Sequence, residues 1–126
     1  MIERLRALKR PKLAVFKFTS CDGCQLAILD CEEELLQLAE EVEISYFAEA
    51  SSDYRPGPYD ISFVEGSVST PQEVRRTGEI RAVTRNFIAF GACATAGGVQ
   101  AHRNATNIER MKGMVYPHPE LLSILP

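Results

Sequence analysis

Apolar and polar positions along this chain change rhythm several times. Residues 12–18, Lys-Leu-Ala-Val-Phe-Lys-Phe, form an apolar, β-prone run with the length of a buried strand. Thr19-Ser20-Cys21-Asp22-Gly23 then breaks it with turn-forming residues, Ser20 and Asp22 being candidate helix caps. Beyond the turn the apolar spacing switches to fours and threes. Cys24, Ile28, Cys31, Leu35, Leu38 and Val42 make a stripe that predicts one amphipathic helix over 24–41. Glu32, Glu33, Glu34, Glu40 and Glu41 fall mostly off the stripe, which predicts a solvated face. Strand patterns return at 43–48, 60–65 and 86–90, the first two separated by a loop carrying Pro56, Gly57 and Pro58. Thr70-Pro71-Gln72-Glu73 combines an N-cap, an early proline and an acidic residue three positions after the cap, predicting a helix that runs to about Thr84. The segment 94–104, with Gly97-Gly98, predicts at most a short helix at its start, and past Asn107 the pattern is too weak to assign an element.

Strands that alternate with helices imply βαβ units, hence a parallel sheet with right-handed crossovers. The expected fold is α/β: a flavodoxin-like open parallel sheet with helices on both faces, in a single domain over 1–126. In such sheets, sites form beyond the carboxyl ends of the strands. Three polar or thiol-bearing segments fall there: Cys21-Asp22-Gly23-Cys24 after the first strand, Glu65-Gly66-Ser67 after the third, Gly91-Ala92-Cys93 after the fourth.

Composition narrows the function classes. Hydrophobic residues make up 45% and charged residues 25%, ordinary for a globular domain, and the formal net charge of -3 argues against a nucleic-acid binder. Apolar runs such as Phe87-Ile88-Ala89-Phe90 are too short to span a membrane. The basic stretch with Arg4, Arg6, Lys9, Arg10 and Lys12 lacks the apolar core of a secretory signal, so a cytoplasmic location is expected.

In that compartment, the four cysteines Cys21, Cys24, Cys31 and Cys93 point to metal or redox chemistry rather than disulfides. A CxxC at a loop–helix junction offers two thiolates favoured by the helix N-terminus, and Cys93 across the sheet edge offers a third. Iron–sulfur clusters usually take four. CxxC alone also suits zinc and thiol–disulfide exchange. Cys31 lies seven residues beyond Cys24, roughly 10 Å along a helix at about 1.5 Å per residue, so it is expected to pack in the apolar stripe rather than to ligate. Glu65 ends a strand beside the presumed site. It suits a proton relay, the binding of a partner amide, or an ordinary capping or solvated role. Gly66, Gly91, Gly97 and Gly98 are expected to permit close backbone approach or positive φ. His102 and Arg103 are expected at the surface, and His118 is not expected to ligate.

Residues 17–29, Lys-Phe-Thr-Ser-Cys-Asp-Gly-Cys-Gln-Leu-Ala-Ile-Leu, resemble the proximal-cluster motif of [NiFe] hydrogenase small subunits. So do residues 59–68, Tyr-Asp-Ile-Ser-Phe-Val-Glu-Gly-Ser-Val, and 88–99, Ile-Ala-Phe-Gly-Ala-Cys-Ala-Thr-Ala-Gly-Gly-Val. The sequence most resembles the small (delta) subunits of soluble sulfhydrogenases, and more distantly the cluster subunit of respiratory NADH:quinone oxidoreductase. The likeness covers about 13–104. It implies a [4Fe–4S] cluster held by Cys21, Cys24 and Cys93, facing a NiFe centre on a partner large subunit, with flavin and ferredoxin-like iron–sulfur subunits as further partners. It implies electron relay by a hydrogenase subunit that is not catalytic alone. The family's fourth cysteine lies in a Pro-Gly-Cys-Pro-like segment that is not found before Pro126. A chain incomplete at its C-terminus is therefore expected, the apolar stretch 121–126 and a missing fifth strand pointing the same way.

Three alternatives stay open. In the respiratory-type subunit the CxxC position holds adjacent cysteines, whereas Asp22 and Gly23 intervene here. A thioredoxin-like oxidoreductase accounts for Cys21 and Cys24 but leaves Cys93 and the VEGSV segment unexplained. The third is a flavodoxin-like binding module without metal, which the absence of iron and sulfide would distinguish. NADP, NAD, polysulfide and ferredoxin all remain open as terminal electron acceptor.

Overall fold

A computed structural model of the chain describes residues 10–118, 120 and 121. Among them, four strands form one parallel sheet in the order β2-β1-β3-β4. The strands are β1 (Lys12–Lys17), β2 (Glu43–Phe47), β3 (Tyr59–Glu65) and β4 (Thr84–Phe90). Strand β1 sits inside the sheet, pairing Leu13 with Ile44 on one side and with Ile61 on the other. That position explains its near-continuous apolar run, since a central parallel strand is covered on both faces. Leu13, Val15 and Phe16 are all buried, each stabilising the fold by roughly 1.5–3 kcal/mol.

The two faces of the sheet have different covers. On one, Ala14, Phe16, Phe18, Tyr59 and Val64 pack with Ile80 of α3 (Pro71–Ala82). Arg76 of the same helix lays its guanidinium 5.5 Å from the Phe18 ring centre and 6.0 Å from that of Phe16. On the other face, Leu13, Val15, Ile44 and Phe47 meet Ile28, Leu35 and Leu38 around an apolar cavity of about 300 Å³. Helices thus lie on both faces, and the expected flavodoxin-like α/β arrangement holds. The Thr70 cap also forms as predicted: its hydroxyl accepts from the Glu73 N–H at 3.2 Å while the Glu73 carboxylate takes the Thr70 N–H at 3.0 Å.

The predicted helix over 24–41 is instead two, α1 (Gly23–Leu29) and α2 (Glu32–Glu41). The chain turns at Asp30 and Cys31, and Glu32 takes a positive φ of 21°. Glu32, Glu33 and Glu34 therefore occupy the first turn of a new helix, where carboxylates complement the helix dipole, rather than the flank of a long one. The break keeps Ile28, Leu35 and Leu38 on the sheet but turns Cys31 out. Cys31 is exposed, its thiol on the Ala27 carbonyl at 3.3 Å, so the expectation that it packs in the core is corrected.

After β4 come α4 (Gly91–Ala96), a 3₁₀ helix (Val99–Ala105) and α5 (Ile108–Val115), the last capped by the Asn107 side chain. Leu121 is exposed, and the rest of the apolar stretch, 122–126, lies outside the described residues, as do Arg4, Arg6 and Lys9. None of the described helices is long and apolar enough to cross a membrane.

Candidate metal centre at the sheet edge

The loops after β1 and β3 are stitched together at the carboxyl edge. The Phe18 N–H donates to the Glu65 carbonyl at 2.7 Å, and Thr19 and Ser67 exchange backbone hydrogen bonds of 3.2 and 2.9 Å. Gly66 makes this approach possible. It has φ 95°, and a side-chain carbon there would lie 2.7 Å from the Phe18 carbonyl carbon.

Glu65 is fully buried, 1% exposed, at the centre of this stitching. Its carboxylate accepts from the Ser20 hydroxyl at 2.7 Å and from the Gln25 amide at 3.0 Å. Gln25, also 1% exposed, is the one buried residue of α1, so a buried polar pair joins the end of β3 to the helix that carries Cys24. Asp22, at φ 67°, directs its carboxylate to Lys17 at 2.5 Å instead of capping α1. That hydrogen bond raises the Lys17 pKa against the opposing effect of desolvation.

Cys21 is exposed in the turn, with the Gly23 backbone beside its sulfur, and Cys24 is half-buried at the start of α1. Helix α1 has only seven residues, so the long-helix dipole expected behind these thiols is much shortened. The fourth strand delivers the other thiol. Gly91 has φ 82°, and a side-chain carbon at Gly91 would collide with Cys24 Sγ. The Cys24 sulfur therefore lies directly against the backbone of the segment that carries Cys93. Cys93 is half-buried too. Its sulfur sits where a side chain at Gly98 would come within 2.8 Å. Beside it opens a cavity of about 420 Å³ bordered by Gly66, Ser67, Cys93 and Arg103.

All four cysteines are free thiols. Glycine backbone leaves room beside Cys24 and Cys93, and thiols are the donors an iron–sulfur cluster takes. In chemistry the residues fit three corners of such a cluster. Among the described residues, no three His, Cys, Asp or Glu side chains close around a single metal ion. His102 is exposed. Arg103 donates to Ser69 Oγ at 2.7 Å and so braces the loop after β3, a tie the expectation of a surface role missed. His118 pairs with Glu120 at 3.1 Å. Gln25 and Gln100 were not legible as site residues. The only trace of either was a glutamine next to the CxxC and another just beyond a double glycine.

The fold and its edge define a flavodoxin-like domain with thiols gathered at the carboxyl ends of parallel strands. The sequence pattern of the family described as NADH ubiquinone oxidoreductase, 20 Kd subunit, matches residues 21–123, and the chain belongs to that family. It is 35% identical over 117 residues to the sulfhydrogenase 2 subunit delta of Pyrococcus furiosus, covering 91% of this chain and 49% of the relative. It is 32% identical to the NAD-reducing hydrogenase HoxS subunit delta of Cupriavidus necator, covering 87% of this chain and 60% of the relative. A chain from the crystal structure of an NAD+-reducing [NiFe]-hydrogenase in the H2-reduced state superposes with a TM-score of 0.77 at 31% identity, over 85% of this chain and 60% of that one. The chain thus spans about half the length of the curated relatives it matches.

Proposed function

We propose that this chain is the electron-transfer small subunit of a [NiFe] hydrogenase, binding a [4Fe–4S] cluster through Cys21, Cys24 and Cys93. In this reading a NiFe centre sits on a partner large subunit, and flavin and ferredoxin-like iron–sulfur subunits take the electrons onward. The carrying observation is the contact of Cys24 Sγ with the Gly91 backbone, which joins the CxxC turn to the Cys93 segment across the edge of the sheet. The likeness to hydrogenase delta subunits supports it.

The cluster, when bound, supplies one-electron chemistry. The chain's own residues hold and shield it. Thiolates of Cys21, Cys24 and Cys93 would take three irons, and the fourth ligand is not among the described residues. Glu65, through Ser20 and Gln25, holds the CxxC turn to β3. The same carboxylate, with the Ser20 hydroxyl 2.7 Å away, forms a two-group path on which a proton can be held, and we assign Glu65 this relay role as part of the proposal.

Anaerobic reconstitution with iron and sulfide tests the reading. With an added small thiol standing in for the fourth ligand, absorbance near 400 nm with bound iron and acid-labile sulfide is expected, each reduced in Cys21→Ser, Cys24→Ser and Cys93→Ser but not in Cys31→Ser; without that thiol, three ligands are expected to leave the cluster labile. Equal iron in Cys93→Ser and the unsubstituted chain would refute the ligand set.

A further inference from the structure

We propose that Gln100 is a positioning residue of this centre, its side-chain amide holding Cys93 Sγ to the loop that precedes Cys21 and donating a hydrogen bond to that sulfur. The inference rests on the cluster reading above.

Gln100 is brought over Cys93 by the double glycine. Gly97 and Gly98 take φ of 85° and 60°, and Gly98 has ψ −153°, a conformation open essentially to glycine alone. A side-chain carbon at Gly98 would lie 2.8 Å from Cys93 Sγ and 2.9 Å from Gln100 Oε1. The backbone is therefore bent at the one point where a larger residue would part the amide from the sulfur.

The amide's orientation follows from its neighbours. The Thr19 carbonyl oxygen can only accept, so the Gln100 atom 2.8 Å from it is the nitrogen. Nε2 carries two hydrogens. One goes to Thr19 O, and the other is available to Cys93 Sγ at 3.4 Å. Oε1 is also 3.4 Å from Sγ, so a free thiol can give its proton to Oε1. A thiolate bound to iron can only accept, which leaves Nε2–H as the donor. The Thr19 carbonyl is the one that also takes the Ser67 N–H at 2.9 Å. One side chain thus links Cys93 to the stitched loops after β1 and β3, which lead to Cys21 and Glu65.

Hydrogen bonds to cluster sulfurs are among the settings of a cluster's potential. Reduction adds negative charge, so a donor on a ligating sulfur stabilises the reduced form more than the oxidised one. Removing it lowers the potential.

The test uses the full chain in its assembly, with cluster loaded, in redox titrations followed by electron paramagnetic resonance. Gln100→Met keeps the length of the side chain without any N–H, and Gln100→Leu removes the amide without adding charge. Both are expected to retain iron and to make reduction up to roughly tenfold less favourable, about 59 mV for a one-electron couple. An unshifted potential in both, with iron retained, overturns the proposal. If either variant loses its iron, NMR of the cluster-free chain decides. With zinc bound to the cysteines so that Cys93 is a thiolate that can only accept, Cys93→Ala is expected to shift one of the two Gln100 side-chain amide protons and leave the Thr19-bonded one in place. Two unmoved protons overturn the proposal. Failure of the cluster reading looks different: the unsubstituted chain then takes up no iron even with an added thiol as fourth ligand, whatever the Gln100 amide does.

Discussion

Glu65→Leu isolates the joint between β3 and the CxxC turn. The leucine is close in length and fills the buried site, so the change is mainly the loss of an acceptor. Two hydrogen bonds go, from Ser20 at 2.7 Å and from Gln25 at 3.0 Å. Ser20 can turn to Asp22, whose carboxylate is 3.2 Å away. Gln25 is 1% exposed, and among the described residues its side-chain amide donates to Glu65, so the substitution strands that donor. An unsatisfied buried donor costs about 1–3 kcal/mol, and the lost bond to a charged group adds roughly 1.5 kcal/mol. Against this stands the desolvation of a buried carboxylate, which the leucine relieves. With one polar partner stranded, the penalty should win, giving a net loss of about 2–3 kcal/mol. For a domain of this size that lowers Tm by roughly 10 °C. Urea unfolding followed by far-ultraviolet circular dichroism measures it. The double variant Glu65→Leu/Gln25→Leu removes both polar partners and should recover about 1–2 kcal/mol relative to the sum of the single changes. If Glu65→Leu is neutral, or the two changes simply add, then Glu65 does not hold the turn through Gln25.

Gly91→Ala should destabilise by about 1–2 kcal/mol from its φ of 82° alone, plus the overlap with Cys24 Sγ, and should lower iron uptake. Unchanged iron with unchanged unfolding would contradict the contact that carries the proposed function. Cys31→Ala should change stability by no more than about 0.5 kcal/mol and leave iron content alone, because the thiol is exposed; a measured loss near 2 kcal/mol would return Cys31 to the core. Burial, with the Tyr54 hydroxyl beside it, pushes the Tyr59 phenol up to about 12. The folded state therefore holds this proton more tightly than the unfolded chain, whose phenols titrate at about 10. This stabilising contribution is full below about pH 10 and is lost as pH rises towards 12. Tyr59→Phe should flatten that part of the stability profile, and a profile of the same slope would rule out Tyr59 as its source.

Much of this protein was legible in the residues alone. The buried run 12–18 had to be a strand covered on both sides, because four successive apolar side chains point alternately to opposite faces. Thr70, Pro71 and Glu73 marked a helix start through local hydrogen bonds and fixed φ, which depend on no distant residue. The strand–helix alternation then placed Cys21, Glu65 and Cys93 at one edge, because parallel strands end on the same side. What the tertiary structure decided was whatever depends on contacts between distant segments. A continuous stripe over 24–41 fits one helix or two equally well. Packing Ile28, Leu35 and Leu38 against the sheet chose two, and that choice exposed Cys31. Glu65 was visible as an acidic strand end, but its partners Ser20 and Gln25 lie 45 and 40 residues away, and only folding reveals that the carboxylate is buried between them. Gln100 and Thr19 meet across 81 residues, through a backbone bend set by two glycines whose dihedral angles no periodicity encodes. Patterns along a chain report which face of an element is wet or dry. Which polar groups meet at the edge is set by the three-dimensional approach of the loops.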